Sequence, residues 1–305
     1  MKLINVYVKI FISILLITYF ISKFNFENLA NNVNTLIIIK ALLVSIFFLC
    51  LQTYFAALRL LISLSINDQK LSILDSWIIC QYGGFFSHTP ASFVGGDAVR
   101  YHLINKTISN KFSAIHSVLL DRFSGFLILG ILSLVGAILL ISYKSVINVI
   151  YIYAISIILL LIFTLPFLLN KLLSTSIFVK IKFISKFANM VGFMVNVPTN
   201  KLKFSTLLVI SCLMYTISFF AVYFISLIYG VNVSLIEVSL VCPIIWLLTM
   251  VPLSFGGWGI RESAFISLFS IFDVDSSASF LVSITYGAAV FFSYLPGLYF
   301  YIKRK

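Results

Sequence analysis

Two pairs of charged residues lie within apolar sequence, and they are the residues best placed to do chemistry in this chain. Asp121-Arg122 falls inside the apolar run that begins at Ser113, and Arg261-Glu262 has apolar residues on both sides. Charged side chains in such positions normally face a cavity or pair with one another. Neighbouring residues on a helix point in different directions, so Asp121 and Arg122 should each have a partner elsewhere.

Two short motifs rich in proline and glycine lie close to these pairs. The first is Pro90-Ala-Ser-Phe-Val-Gly-Gly-Asp-Ala-Val-Arg100, and the second is Pro252-Leu-Ser-Phe-Gly-Gly-Trp-Gly-Ile-Arg261. They share proline, serine, phenylalanine, paired glycine and arginine with one deletion, which indicates an internal repeat. A chance match between two glycine-rich turns is the alternative, and proline and arginine carry most of the specificity.

Where proline or glycine interrupts a helix, backbone N–H and C=O groups lose their helical partners. Hydrocarbon cannot satisfy these groups, so the interruptions mark a cavity shielded by protein. In the first motif we expect Gly95-Gly96 to form a turn and Asp97 to cap a short helix whose N-terminus attracts phosphate. Arg100 lies three residues later, where its guanidinium would grip a lipid phosphate or neutralise Asp97. An arginine that anchors a loop at the membrane interface is the alternative.

Charge complementarity predicts two ion pairs, Asp97 with Arg122 and Asp121 with Arg100. For Arg261-Glu262, an anion site and a buried structural ion pair are both open. The predicted substrate-binding residues all lie in or beside the two motifs and charged pairs. They are Pro90, Gly95, Gly96, Asp97, Arg100, Asp121, Arg122, Pro252, Gly256, Gly257, Arg261 and Glu262.

The remaining polar candidates point to structural roles. His88 adjoins the first motif, but a histidine without neighbouring ligands is more typical of a hydrogen-bonded structural residue. Glu237 lies near a segment boundary, which favours a surface position. His102 and His116 have no metal-ligand spacing with His88, and the four cysteines stand singly in apolar runs. We therefore predict no metal site and no cofactor, and the lack of a GxxxxGK[ST] loop argues against ATP hydrolysis.

The composition places these residues in a membrane. Of the 305 residues, 61% are hydrophobic and 10% are charged, which is far outside the range of soluble domains. A spanning helix needs about 20 apolar residues, and runs of that length recur along the chain. The net charge of +12 comes from basic residues between apolar runs, as membrane orientation requires, so we predict no nucleic-acid partner.

We predict an all-α integral membrane protein with about six spanning helices. They cover residues 3–22, 36–58, 113–141, 146–169, 204–229 and 278–301. Two further apolar stretches, 73–94 and 235–272, are interrupted by proline and glycine, and we interpret both as re-entrant hairpins. If the broken stretches spanned the membrane instead, the chain would have up to eight or more spans by hydropathy.

The distribution of basic residues favours the hairpin interpretation. With hairpins, the N-terminus, the region 59–112, the basic linker 170–203 and the C-terminus share one face, which holds most of the Lys and Arg residues, Arg59 and Arg100 among them. The positive-inside rule then predicts a multi-pass protein of the cell membrane with both termini in the cytoplasm. One span at 73–94 would put the N-terminal lysines outside, whereas the rule is silent on 235–272.

The predicted organisation is one membrane domain, 1–305, built from two approximate repeats, 1–141 and 146–301. Three spanning helices lie between the two motifs, so the second copy would be inverted relative to the first. Inverted repeats with broken segments in matching positions are typical of transporters, whose site lies near the repeat interface.

The two motifs, with Asp121-Arg122-Phe-Ser-Gly125 between them, resemble the flippase-like transmembrane family of lysylphosphatidylglycerol synthase. The resemblance covers nearly the whole chain, with the three signatures in the family's order. It implies movement of lipids between leaflets, of aminoacylated phospholipid in the synthase itself and of other amphiphiles in stand-alone relatives. Ser87-His88-Thr89 departs from the asparagine and apolar residues expected before the first proline. Because the chain ends at Lys305 after its last helix, we expect no aminoacyl-transfer domain.

The preferred hypothesis is translocation of a lipid or lipid-linked saccharide with an anionic headgroup. The arginines of the site would attract the headgroup, and the carboxylates would balance them and could couple protons. The alternatives are a membrane-embedded lipid-modifying transferase, with Asp97 or Asp121 as base, and a non-catalytic scaffold, for which Arg100 and Arg261 would be dispensable. Expected partners are membrane lipids or a lipid-linked saccharide, with a homo-oligomer or a lipid-modifying enzyme as further alternatives.

Overall fold

The fold is known from a computed structural model, which describes residues 18–19, 34–88, 92–143, 201–250 and 257–303. Within these ranges the chain is helical between its turns, which confirms the predicted all-α fold. The helices are α1 (Thr35–Ser65), α2 (Ile73–Ser87), α3 (Ser92–Ile108), α4 (Lys111–Tyr143), α5 (Lys201–Ile228), α6 (Leu235–Thr249), α7 (Ile260–Phe269), α8 (Ser276–Ser293) and α9 (Leu295–Lys303). A 3-10 turn, Ser270–Phe272, follows α7.

Four of the six predicted spans are confirmed as helices long and apolar enough to cross a membrane. They are Thr35–Ser65, Lys111–Leu140, Lys201–Ile228 and Ser276–Phe300. The last of them is interrupted at Tyr294, where α8 ends, and Pro296 then lies in the first turn of α9, a position that tolerates proline. The predicted spans 3–22, apart from residues 18–19, and 146–169 lie outside the described residues, as does the linker before Lys201.

The first interrupted stretch, 73–94, contains α2 and only the start of α3, which continues to Ile108, so its predicted end is wrong. The second stretch, 235–272, contains both α6 and α7. The first hairpin consists of α2 and α3, with 15 and 17 residues. The second hairpin consists of α6 and α7, with 15 and 10 residues. At 1.5 Å per residue the longest of these helices rises only about 26 Å, which is less than the hydrocarbon thickness of about 30 Å. These lengths favour helices that enter the membrane and return to the same side.

Side-chain caps define where the helices at one end of the bundle begin. Ser234 and Glu237 form a reciprocal capping box at the start of α6, which confirms the predicted surface position of Glu237. Asp275 caps α8 and accepts a hydrogen bond from the amide of Ser277 at 2.9 Å. Hydrogen bonds from the Ser277 hydroxyl and from nearby amides lower the pKa of the Asp275 carboxyl below its usual value.

Contacts between long helices establish their directions. Lys203, near the start of α5, donates a hydrogen bond to the carbonyl of Ser65 at the end of α1. Further along the same pair of helices, Gln52 on α1 donates to Ser218 on α5 at 2.7 Å. These two helices are therefore antiparallel, and the end of α1 lies beside the start of α5.

One end of the bundle is rich in lysine. The start of α4 lies at this end, because Asn67 just after α1 contacts His116 at 2.8 Å, and the Phe300 ring of α9 packs near the start of α2 against Trp77 at 5.9 Å. The lysines of the adjoining helix ends and loops are Lys70, Lys106, Lys111, Lys201, Lys203 and Lys303. Asp68 and Asp75 lie at the same end. The opposite end, called the acidic end below, carries Glu237, Asp273 and Asp275, with Lys40 in the second turn of α1. This asymmetry suits a cytoplasmic lysine-rich end, and the location of the termini stays a prediction.

The two hairpins enter the bundle from opposite ends. The first hairpin starts at the lysine-rich end, after α1, whereas the second starts at the acidic end, after α5. Each half therefore has the order of one long helix, two short helices and another long helix. This order is the one expected for an inverted repeat, and the descent of the halves from one ancestral unit stays a prediction.

Candidate functional site

Asp121 is the centre of a buried ion cluster between α1, α3 and α4. Its carboxylate accepts two hydrogen bonds from Arg59, one from Nε at 2.7 Å and one from Nη2 at 3.1 Å. Arg100 approaches the same carboxylate from α3, with its Nη1 3.3 Å from Oδ2. All three residues are buried, with at most 6% of their surface exposed. One carboxylate therefore balances two arginines.

Asp97 and Arg122 complete this cluster. Arg122 donates from Nε and Nη2 to Asp97 Oδ1, at 2.8 and 2.6 Å. Both predicted ion pairs, Asp97 with Arg122 and Asp121 with Arg100, are thereby confirmed. Asp121 and Arg122 have separate partners because the side chains of neighbouring residues on a helix point in different directions. Arg59, Arg100, Arg122, Asp97 and Asp121 are together called the first cluster.

Arg59 is a site residue that the charge pattern did not identify. The prediction that it belongs to the basic loop face is wrong, because α1 continues to Ser65 and buries it. The apolar residues 60–64 continue the run beyond Arg59 and are the signal for the longer helix. An arginine within an apolar run needs a buried partner, which here is Asp121.

The predicted turn at Gly95-Gly96 and the predicted N-cap at Asp97 are both wrong. The helix α3 already begins at Ser92, so all three residues lie inside it. Gly96 instead permits close packing of the first hairpin, because a Cβ at this position would lie 2.3 Å from the carbonyl oxygen of Gly83. Small residues allow such close approach of helices in membranes. Asp97 therefore acts through its carboxylate and does not begin a phosphate-binding helix terminus.

Two adjacent glycines of α2 make room for large side chains. A Cβ on Gly83 would lie 2.3 Å from Nε of Arg100, and one on Gly84 would lie 2.1 Å from the ring of Tyr294. The close approach of Arg100 and Tyr294 explains why glycine occupies both positions inside a continuous helix. The two glycines also fix the path of the Arg100 side chain toward Asp121.

Replacing Gly83 with alanine is expected to displace Arg100, because the buried side chain must give way to the added methyl group. The expected loss is about 1 to 3 kcal/mol in the free energy of unfolding, the usual cost of overpacking a core. Unfolding of the purified protein in detergent measures it, and Gly83→Leu should be worse than Gly83→Ala. Wild-type stability of both variants would contradict this packing.

Arg261 and Glu262 form a second cluster at the start of α7. Arg261 Nη2 donates to Glu262 Oε1 at 2.7 Å, and the Ser283 hydroxyl of α8 donates to the same oxygen at 3.2 Å. Glu262 also accepts a hydrogen bond from the amide of Gly259. A carboxylate at this N-terminus of α7 is stabilised by the helix dipole. Glu262 has no exposed surface. Of the two predicted alternatives, the structure has the buried ion pair.

Arg261 is enclosed on two further sides. The centroid of the Trp258 ring lies 4.3 Å from its Cζ, a cation–π contact, and a Cβ on Gly287 would lie 2.0 Å from its Nη2. Gly257 and Gly259 have φ angles of 79° and 90°, which residues with a Cβ rarely adopt. Gly257 and Gly259 thus lie in the turn that precedes α7.

The two motifs therefore adopt different local structures. In the first motif the paired glycines lie inside a helix, whereas in the second motif Gly257 precedes one. Arg100 and Arg261 nevertheless both reach a buried carboxylate. The predicted residues Pro90, Pro252 and Gly256 lie outside the described residues.

Tyr294 connects the first hairpin to the junction of α8 and α9. Its ring centroid lies 5.7 Å from that of His88. The Nδ1 atom of His88 is hydrogen-bonded to the carbonyl of Gly84 at 2.9 Å, which confirms the predicted structural role of this histidine. In the part of the chain that the structure describes, no group of three or more His, Cys, Asp or Glu residues could hold a metal ion.

A small, partly open recess of about 30 Å³ lies beside the first cluster and reaches the second hairpin. Its lining combines two arginines with apolar and aromatic side chains. The lining residues are Arg59, Arg122, Gly125, Phe126, Tyr215 and Met250.

The first cluster has more positive than negative charge. Three arginines and two aspartates give it a net charge of +1 among the described residues. Asp121 is held by two donors of Arg59, and Asp97 by two donors of Arg122. Within the described chain, Arg100 donates one hydrogen bond, to Asp121 at 3.3 Å, and its buried Nε has no hydrogen-bond partner. Arg100 is therefore the surplus cation.

Comparisons with known proteins bear on this site. A family model described as the lysylphosphatidylglycerol synthase TM region matches residues 6–297, a range that includes both hairpins and both clusters. Comparisons with curated proteins and with solved structures gave no match.

Proposed function

The chain belongs to the lysylphosphatidylglycerol synthase TM region family, and we propose that it moves a lipid or lipid-linked amphiphile with an anionic headgroup between membrane leaflets. The surplus positive charge of the first cluster is the observation that carries this proposal. A buried charge costs several kcal/mol unless it is paired. A net charge of +1 inside an apolar bundle is therefore best stabilised by an anionic ligand.

Arg100 is the residue that we assign to the headgroup. Without it, Asp121 would still be bound by Arg59 and Asp97 by Arg122, so the rest of the first cluster would be neutral. The planar guanidinium of Arg100 matches the oxygen geometry of a phosphate group. The two carboxylates hold arginines, a role that disfavours either of them as the base of a transferase.

The second cluster has a different role in this proposal. Arg261 and Glu262 neutralise each other and are enclosed by Trp258, Ser283 and Gly287. We therefore assign this ion pair to the support of the second hairpin and not to headgroup binding. Hairpins that enter from opposite ends are the arrangement in which one repeat rocks against the other around a central site. Opening of the recess to alternate leaflets would follow from such a movement.

The proposed location is the cell membrane, with the lysine-rich end in the cytoplasm. Lysines at the cytoplasmic surface are attracted to anionic lipids, which would enrich the substrate near the first hairpin. Both termini would then be cytoplasmic. Modification of a cysteine introduced near Lys303 by a membrane-impermeant reagent, in cells and in open membranes, tests this orientation.

Arg100→Gln is the variant that tests the proposed function. The purified protein is reconstituted in liposomes with NBD-labelled phosphatidylglycerol or a labelled polyprenyl-phosphate sugar, and dithionite bleaches the label in the outer leaflet. We expect the wild type to expose the inner label and Arg100→Gln to slow this exchange at least ten-fold. Lys106→Gln is the matched control, because it removes an exposed cation from the same helix.

The outcomes separate the candidate functions. Absence of exchange for every lipid class by folded wild-type protein would contradict translocation. Equal rates for Arg100→Gln and the wild type would instead favour a scaffold in which Arg100 is dispensable. A lipid product of new mass, detected by mass spectrometry of the same liposomes, would favour the transferase.

A further inference from the structure

A row of polar side chains follows one face of α5, from the first cluster to the acidic end of the bundle. Its members, here called the polar row, are Ser211, Tyr215, Ser218, Ser226 and Tyr229. Spacings of three, four and eight residues place them on one side of the helix. At 1.5 Å per residue the row covers about 27 Å and begins about 15 Å from the start of α5.

The polar row faces other helices and not the lipid. Ser211, Ser218 and Ser226 are at most 1% exposed. Arg59 of the first cluster donates to Ser211 at 3.2 Å, and Gln52 donates to Ser218 at 2.7 Å. The row therefore begins at the first cluster and contacts α1 at Ser211 and Ser218.

The other contacts of the polar row reach α4 and α8. Tyr215 donates from its hydroxyl to the carbonyl of Gly125 at 3.1 Å, and Tyr229 shares a hydrogen bond with Thr285 at 2.7 Å. Tyr286, the neighbour of Thr285, lies beside Ser218. The row is thus continuous with polar groups on three surrounding helices, from the centre of the bundle to its acidic end.

Trp246 of α6 supplies an unused donor at the middle of this row. Its indole ring stacks on Phe219 at 5.3 Å and on Tyr215 at 5.8 Å, and it lies 6.2 Å from the ring of Tyr286. Only 9% of Trp246 is exposed, and its Nε1 has no hydrogen-bond partner in the described chain. A buried N–H without a partner destabilises a protein, so it calls for a ligand or a functional reason.

We propose that the polar row is the path of the headgroup between the first cluster and the acidic end of the bundle, with the Trp246 N–H as a donor at its midpoint. This inference rests on the proposed translocation function. A phosphate ester accepts hydrogen bonds from hydroxyl, amide and indole groups, which the path offers every one to two helical turns. The acyl chains would remain in lipid.

The same residues show why the path is closed in this structure. The stacked rings of Tyr215, Trp246 and Phe219 fill the middle of the row. Because Trp246 belongs to the second hairpin and the other two rings belong to α5, separation of α6 from α5 would open the path. The donor of Trp246 would then meet the headgroup as it passes.

The variant Trp246→Phe tests this path with little risk to folding, because it keeps an aromatic ring and removes only the indole N–H edge. With NBD-labelled phosphatidylglycerol in liposomes, we expect exchange at least five-fold slower than in the wild type. Trp77→Phe is the matched control, since its indole donates to Thr53 at 3.3 Å, away from the row. That variant should translocate at the wild-type rate.

A second pair of variants obstructs the path by size. Ser218→Leu places a branched apolar side chain in the row and is expected to slow exchange at least ten-fold, whereas Cys212→Leu changes an exposed position of the same helix and should have no effect. If the hydroxyls of the polar row only hold helices together, Ser218→Leu should alter the stability of the protein and leave lipid exchange normal. If Ser218→Leu does not fold, Trp246→Phe decides the question.

The results distinguish failure of the path from failure of the proposed function. Wild-type protein that translocates no lipid would contradict the function itself. Wild-type rates for Trp246→Phe and for folded Ser218→Leu, combined with loss of exchange in Arg100→Gln, would overturn the path and leave the function standing. Slow exchange in the two path variants and normal exchange in both controls is the expected result.

Discussion

Replacing Asp121 with asparagine is expected to lower the free energy of unfolding by about 3 to 5 kcal/mol and to abolish lipid exchange. The carboxylate binds Arg59 and Arg100, and it is 2% exposed, so its loss leaves two buried cations with an uncharged amide. Removal of one member of a buried ion pair has a cost of this size because the remaining charge is desolvated and unpaired. The charge of the first cluster would rise from +1 to +2.

Unfolding in detergent and the liposome exchange assay measure the two effects of Asp121→Asn. Asp68→Asn is the control, because Asp68 is exposed and asparagine tolerates its positive φ of 54°. That control should remain within about 0.5 kcal/mol of the wild type, as surface substitutions usually do. If Asp121→Asn were as stable as Asp68→Asn, the first cluster would not be an ionic core.

Replacing Glu262 with alanine is expected to be comparably destabilising, by about 3 to 5 kcal/mol. The substitution strands the guanidinium of Arg261 beneath Trp258 and removes the acceptor for the Gly259 amide. Unfolding in detergent measures the loss. Glu237→Ala is the matched control, since that half-buried glutamate forms a capping box worth about 1 kcal/mol.

A double substitution separates charge from packing at the second cluster. Arg261→Met combined with Glu262→Leu removes both charges and keeps similar volume, so we expect it to be more stable than Glu262→Ala alone. A double variant as unstable as the single one would show that the ion pair itself, and not the unpaired charge, stabilises the second hairpin.

The ion pairs of the first cluster show how far sequence reasoning reaches in a membrane protein. Charged residues inside apolar runs must find partners, and this requirement alone predicted that Asp97 pairs with Arg122 and Asp121 with Arg100. The same reasoning did not extend to Arg59, because that residue was placed at a helix boundary. An arginine at an underestimated helix end looks like an interfacial anchor until the length of the helix is known.

The glycine motifs show where sequence reasoning does not reach. The two motifs are similar in sequence, but Gly96 packs inside α3 whereas Gly257 has a positive φ before α7. Glycine serves both purposes, close approach and unusual backbone, for the same reason, which is the lack of a Cβ. Only the neighbouring atoms distinguish the two uses.

The sequence by itself determined that this chain is an all-α membrane protein with two interrupted stretches and buried charged pairs. Hydrocarbon thickness and the cost of unpaired charge act on any chain of this composition, so hydropathy and charge position suffice for these conclusions. The tertiary structure alone decided that Arg59 holds Asp121, that Arg100 is the surplus cation and that Trp246 lies beside the polar row. Those properties depend on helices far apart in the chain, and the distances between their side chains are set by packing that no local pattern records.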